Sequence, residues 1–274
     1  MTTSPAPSPW LRNFRPAPDA PVRLVCLPHA GGAAGFFFPV ARALAPGVEV
    51  LAVQYPGRQD RLREPAVTDI DVLAERIVDE LGPWTDRPYA LFGHSMGAIV
   101  GFETARRLQD AGRGPVELFV SGRRAPALER DRDRRQPVTD AEVLAEVRAL
   151  NGTGDALLDD EATRNLILPA LRCDYQAVRD YRHRPGPALE CPITAFTGDR
   201  DPKAEVGQVR AWQQHTRSAF EVNVLPGGHF FLVDRAAEVW GSIGDRLAGV
   251  TAPPAAGRPV TGPRVPTPRA AWRG

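Results

Sequence analysis

The stretch that decides the fold is Tyr89-Ala-Leu-Phe-Gly-His-Ser-Met-Gly-Ala-Ile-Val-Gly101. Tyr89–Phe92 is apolar and β-prone, and the run from Ala98 to Ala105 forms helix well, so Gly93-His94-Ser95-Met96-Gly97 reads as a strand-to-helix turn. A turn that sharp has no room for side chains at Gly93 and Gly97. It leaves Ser95 in a strained conformation with its hydroxyl lifted above the ends of the strands. A surface loop does not need two glycines so placed, and a buried strand would lose packing at both.

Working outward, short apolar runs alternate with helical patterns. Val22–Leu27, Val48–Val53, Tyr89–Phe92, Val116–Val120, Ile193–Phe196 and Phe220–Leu225 read as strands. Most are continuously apolar, as in a mostly parallel sheet with helices on both faces. Helices are predicted over about 36–45, 69–82, 96–112 and 235–248. Thr68 and Asp71 are expected to form a capping box before the second of these. The alternation implies a doubly wound α/β domain.

One connection is too long for a single crossover. About seventy residues separate Val120 from Ile193, and they carry helical signals of their own. Thr139 and Glu142 make a second capping-box pattern, and an amphipathic run extends from Glu161 to Arg182. These helices are expected to form a lid, from about residue 122 to 190, over the carboxyl edge of the sheet.

The 274 residues allow one sizeable α/β domain, and a net charge of +1 gives no broad field for nucleic acid or an anionic membrane. Residues 1–9 and the Pro-rich 251–274 hold little to pack, so the ordered domain is expected to span 10–250. Cys26, Cys173 and Cys191 are odd in number and widely spaced, which favours free thiols over a disulfide framework. No signal peptide and no apolar run of spanning length is evident. A cytoplasmic protein is expected. The run Glu129-Arg-Asp-Arg-Asp-Arg-Arg135 alternates in sign and reads as a solvated lid margin, with the arginines able to steer an acidic partner.

A reactive serine requires a base, and five histidines are available. His94 lies inside the turn; His183 and His215 read as solvated surface; His29 is expected to shape its loop by hydrogen bonding. His229, in Leu225-Pro-Gly-Gly-His-Phe-Phe-Leu232, follows the last strand and is the candidate base. For the acid, Thr197-Gly-Asp-Arg-Asp-Pro202 offers two carboxylates. Asp201 is thrown forward by the turn at Gly198 and is favoured; Asp199 sits earlier, where it can brace the turn. The order Ser95, Asp201, His229, each just after a strand, matches the α/β-hydrolase order. Oxyanion donors are expected from the N–H of Met96 and from the loop Leu27-Pro-His-Ala-Gly-Gly32, with Ala30 the candidate and Gly31 behind it.

Taken together, LPHAGG at 27–32, QYPGRQDR at 54–61, FGHSMGA at 92–98, TGDRDP at 197–202 and PGGHFFL at 226–232 resemble the type II thioesterases of polyketide and nonribosomal peptide synthesis. Ala33 departs from the serine that the family often has there. The resemblance implies a thioesterase of the α/β-hydrolase fold that removes unwanted acyl groups from the phosphopantetheine arm of acyl or peptidyl carrier protein domains. It implies Ser95, Asp201 and His229 as triad and Met96 and Ala30 as oxyanion donors. The expected enzyme is a monomer needing no metal or other cofactor. The residues alone support serine acyl transfer under a helical lid, and the alternative is a general serine esterase or peptidase of the same fold acting on free small-molecule esters.

Overall fold

The computed structural model describes residues 8–128, 138–150 and 159–250. The arginine-rich run 129–135 and the segments 1–7 and 251–274 lie outside the described residues.

Seven strands form one sheet: β1 (Leu11–Arg12), β2 (Val22–Leu27), β3 (Val48–Val53), β4 (Tyr89–His94), β5 (Glu117–Ser121), β6 (Ile193–Gly198) and β7 (Phe220–Leu225). Their order is β1-β3-β2-β4-β5-β6-β7, parallel throughout except for the antiparallel edge pair β1–β3. β1 is too short to give a period-two signal, and it joins the sheet through two paired positions at its edge.

Continuous apolarity in the strands has a direct cause. Val22, Leu24 and Cys26 of β2 face one core, while Val25 and Leu27 face the other. The first core is completed by α1 (Phe38–Leu44), through Val40 and Leu44, and by the C-terminal helix, through Val239, Ile243 and Leu247. The second is filled from α2 (Ile70–Leu81), through Leu73 and Ile77, and from α3 (Met96–Asp110), through Ile99 and Leu108. Strand order runs outward from β2 in both directions, and right-handed crossovers then place helices on opposite faces.

α2 is capped differently from expectation. The side chain of Asp69, not Thr68, accepts from the N–H groups of Asp71 and Val72. Thr and Asp are both good caps, and the helix begins one residue later than the box pattern implied.

Between β5 and β6 stand α4 (Asp140–Ala149) and α5 (Glu161–Asp180). α4 opens on the Thr139–Glu142 capping box with both reciprocal bonds present. The two helices share a small core of their own, built from Val143, Val147, Leu168 and Leu171. After β6 come α6 (Val206–Arg210), α7 (Phe231–Asp234) and α8 (Ala236–Ala248). No helix among the described residues is long and apolar enough to cross a membrane.

Candidate active site

The sheet order explains how distant segments meet. Leu27 pairs with Gly93, so the loop after β2 and the turn after β4 leave the sheet side by side. Gly198 pairs with Leu225, so the loops after β6 and β7 do the same further along the carboxyl edge.

Ser95 has φ 53° and ψ −113°, a left-handed conformation that side chains adopt only at a cost. The flanking glycines are required by contact. A Cβ on Gly93 would lie 2.0 Å from the carbonyl oxygen of Gly97, and one on Gly97 would lie 2.1 Å from that of Leu27. The Ser95 N–H donates to the Ser121 carbonyl at 2.8 Å, which holds the turn against β5. Met96 is the first residue of α3, so its N–H has no acceptor within the helix and stands at the positive end of the helix dipole.

His229 Nδ1 lies 3.0 and 2.9 Å from the two carboxylate oxygens of Asp201, and both side chains are buried. A carboxylate only accepts, so Nδ1 carries the proton and Nε2 is left as the basic nitrogen. Asp201 Oδ1 also accepts from the N–H of Lys203 at 2.8 Å. Asp199 does not reach the imidazole. Its Oδ1 accepts from the N–H of Gly227 at 2.8 Å and ties the loop after β6 to the one that carries His229.

Two further imidazoles crowd His229. His94 is buried 5.0 Å away, centroid to centroid, with Nδ1 3.0 Å from the Ser121 hydroxyl. Burial, then the neighbouring His229 and His29, push its pKa well below the ordinary value. His29 is lowered to about 3, again by burial first and then by His229 and Arg58. Both stay neutral, and of the three clustered imidazoles only that of His229 has a carboxylate bonded to it. His29 shapes its loop through its carbonyl, which accepts from the Gly32 N–H at 2.9 Å, and not through its ring: the buried Nδ1 has no partner, and the ring makes edge contacts with Phe36 and Phe230. His215 is also not surface. It is 7% exposed against Phe102 and Trp212. His183 is half-buried beside it.

Ala30, Ser95, His229, Leu150 and Tyr175 line two adjoining cavities that meet at the serine. One runs under Val147, Ile167 and Leu171 of the inserted helices and is the more apolar of the two. The other is rimmed by Arg123, Arg124, Arg179 and Lys203 with Glu142 and Glu146, four cations against two anions, so its net charge is positive. Lys203 Nζ meets Glu146 of α4 at 2.6 Å.

One pair escaped the reading of the sequence altogether. Arg58, from the YPGR segment, and Asp174, from α5, form a buried ion pair beside the loop after β2. Arg58 belongs to a motif quoted for its resemblance, but nothing local marks Asp174 within a helix carrying many charges.

The thioesterase domain family matches residues 22–247. The chain is 50% identical to the thioesterase PikA5 of Streptomyces venezuelae over 240 residues, 87% of this chain and 85% of the relative. The structure resembles that of BorB, a type II thioesterase from the borrelidin biosynthetic cluster, with a TM-score of 0.82 and 46% identity over 89% of this chain and 100% of the other. It also resembles YbtT, a type II thioesterase from the yersiniabactin NRPS/PKS biosynthetic pathway, with a TM-score of 0.78 and 30% identity over 88% and 99% of the two chains. The seven-stranded, mostly parallel sheet is the α/β-hydrolase arrangement of these structures. The chain therefore belongs to the thioesterase family, among the type II thioesterases of polyketide and nonribosomal peptide pathways, and is a serine hydrolase acting on thioesters.

Proposed function

We propose that this thioesterase clears aberrant acyl groups from the phosphopantetheine arm of acyl or peptidyl carrier domains, using Ser95, His229 and Asp201. The observation that carries the reading is the Asp201-bound imidazole of His229 in the cavities that Ser95 lines. Ser95 Oγ attacks the thioester carbonyl while His229 Nε2 takes its proton, and the Nδ1–H bond to Asp201 holds the ring and stabilises its charge. The oxyanion is received by the N–H groups of Met96 and Ala30. Collapse breaks the C–S bond; the thiolate takes the proton back from His229 and leaves, a thiol of pKa about 8–9 being a good leaving group. Water then attacks the acyl-serine, giving its proton to His229, and Ser95 recovers that proton as the acid departs.

The two cavities divide the substrate between them. The more apolar one, about 210 Å³, suits the acyl chain. The cationic rim suits the arm, whose phosphodiester is anionic. The inserted helices α4 and α5 serve as the lid of a single domain spanning about 10–250. Nothing in the mechanism calls for a second subunit, and the enzyme acts as a monomer. The free thiols Cys26, Cys173 and Cys191 accord with a cytoplasmic setting.

The test is a comparison of acyl-carrier protein, acyl-CoA and p-nitrophenyl esters bearing the same acyl group. The reading expects the highest kcat/KM for the carrier. Preference for the free ester by orders of magnitude would overturn it in favour of a general esterase.

A further inference from the structure

Arg58 and Asp174 are 6% and 1% exposed, and neither belongs to the triad. The guanidinium grips the carboxylate with two prongs, Nη1 to Oδ2 at 2.7 Å and Nη2 to Oδ1 at 2.8 Å. Oδ2 also accepts from the backbone N–H of Gly31 at 2.7 Å, and Arg58 Nη1 donates to the Gly32 carbonyl at 3.1 Å. The pair thus holds the loop after β2 by a donor and an acceptor of its main chain. One turn earlier on α5, Leu171 covers the same glycine: a Cβ on Gly31 would lie 2.4 Å from Leu171 Cδ2.

The loop at that point is a tight turn. The Gly32 N–H donates to the His29 carbonyl at 2.9 Å, and Gly31 has φ +76°. That is the arrangement of a type II turn, with glycine at the third position. Such a turn has a close competitor in which the Ala30–Gly31 peptide is flipped. The flipped form would withdraw the Gly31 N–H and turn a carbonyl oxygen toward the Asp174 carboxylate, so the buried charge selects one orientation. The Ala30 N–H, the second oxyanion donor proposed above, lies in the preceding His29–Ala30 peptide; the ion pair does not bond to it but fixes its place by anchoring the main chain at the next two residues, Gly31 and Gly32.

Stability alone is a weak reason for the pair. A buried ion pair seldom stabilises more than well-packed apolar side chains of the same volume, whereas it does fix geometry. The molecule holds a comparison. Arg23 Nε and Glu49 Oε2 form another buried ion pair at 2.8 Å, but from the opening residues of β2 and β3, at the opposite end of the sheet from Ser95.

We infer that Asp174 is a positioning residue which, paired with Arg58, couples the seating of helix α5 to the position of the loop that carries the Ala30 oxyanion donor. The hole is complete only while α5 is docked over the loop. The inference rests on the assignment of Ser95 as nucleophile and Ala30 as donor.

The experiment compares Asp174→Asn and the charge-neutral double variant Asp174→Asn/Arg58→Gln with the parent enzyme. The substrate is an acyl N-acetylcysteamine thioester, and rates are normalised to active sites titrated with a fluorophosphonate. Removing an oxyanion donor outright costs about 100- to 1,000-fold, so a misdirected one is expected to lower kcat about 10- to 100-fold. KM should stay within about threefold of the parent, and a trifluoromethyl ketone analogue should lose affinity in parallel with kcat. Glu49→Gln should lower the melting temperature and leave kcat per active site unchanged. Should Asp174→Asn not fold, Arg58→Lys, which keeps the charge but loses the two-pronged grip, carries the same expectation. Parent kcat per active site in the double variant or in Arg58→Lys would overturn the inference. Ser95→Ala separates the two levels: activity retained there overturns the serine reading and this inference with it. An inert Ser95→Ala beside fully active Asp174 variants refutes the positioning role alone.

Discussion

Gly93→Ala tests whether the turn around Ser95 has any slack. The added methyl would meet three backbone atoms, the Gly97 oxygen at 2.0 Å, the Gly97 carbon at 2.3 Å and the Ala98 nitrogen at 2.5 Å. Ordinary contact begins near 3.4 Å, so the oxygen must retreat by about 1.4 Å, the difference between the two. None of the three is the end of a flexible side chain; they are the first turn of α3, and moving them moves Ser95. A displacement of about 1 Å at a reacting centre is worth about 100-fold in rate. Overpacking adds a stability loss of about 1–3 kcal/mol, which at about 2–4 °C per kcal/mol lowers the melting temperature by roughly 2–12 °C. Gly241→Ala is the counterpart, because a Cβ there, inside α8, meets nothing within 4 Å. It should raise stability by about 0.5–1 kcal/mol and leave kcat/KM unchanged. The assays are thioester hydrolysis under kcat/KM conditions and calorimetry on both variants. Gly93→Ala with a kcat/KM within threefold of the parent and an unshifted melting temperature would refute the steric reasoning.

Asp201→Asn should lower kcat by about 10⁴, since the amide can hold His229 in the wrong tautomer, while Asp199→Asn, which weakens the Gly227 and Arg200 contacts, should cost tenfold or less; steady-state kinetics separate them, and the reverse ranking would move the acid to Asp199. Arg124→Glu should raise KM for carrier-bound acyl groups and leave N-acetylcysteamine thioesters within twofold, because Arg124 lies on the rim of the cationic cavity; equal effects on both substrates would count against a role in reading the arm. His215, lowered to about 4 mainly by burial, is neutral in the folded protein where the unfolded chain takes up a proton at its ordinary 6.5. Stability present above pH 6.5 is therefore lost as pH falls toward 4, and His215→Leu should flatten that decline by up to about 1.4 kcal/mol per pH unit. Denaturant melts at pH 7, 6 and 5 check it, and parallel slopes in the two proteins would contradict it.

What could be read in advance follows from how local each signal is. The strands β2 to β6 carry apolar side chains on both faces, so their runs stand out whatever lies beside them. The turn at Ser95 announces itself because only glycine fits at 93 and 97. The Thr139–Glu142 box lies within four consecutive residues, and its two bonds form as written. At α2 the same rule slipped by one residue, because Thr68 and Asp69 are both competent caps and the backbone path chooses between them. Histidines were harder. His215 follows two glutamines in sequence yet packs on Phe102, which comes from the distant helix α3, and on Trp212 of its own helical turn. The His29 ring is wedged among other rings rather than bonded, a matter of what Phe36 and Phe230 do in space. Arg58 and Asp174 are 116 residues apart, and no periodicity or motif links them.

The proposed catalysis begins with one covalent event at one oxygen, the Ser95 hydroxyl. A rapid-quench reaction of the enzyme with a slowly hydrolysed acyl thioester, followed by intact-mass and peptide mass spectrometry, measures it directly. The expected result is one acyl adduct per chain, mapped to Ser95 and absent from Ser95→Ala. An adduct on another residue, or full turnover in Ser95→Ala with no adduct at all, would contradict the assignment.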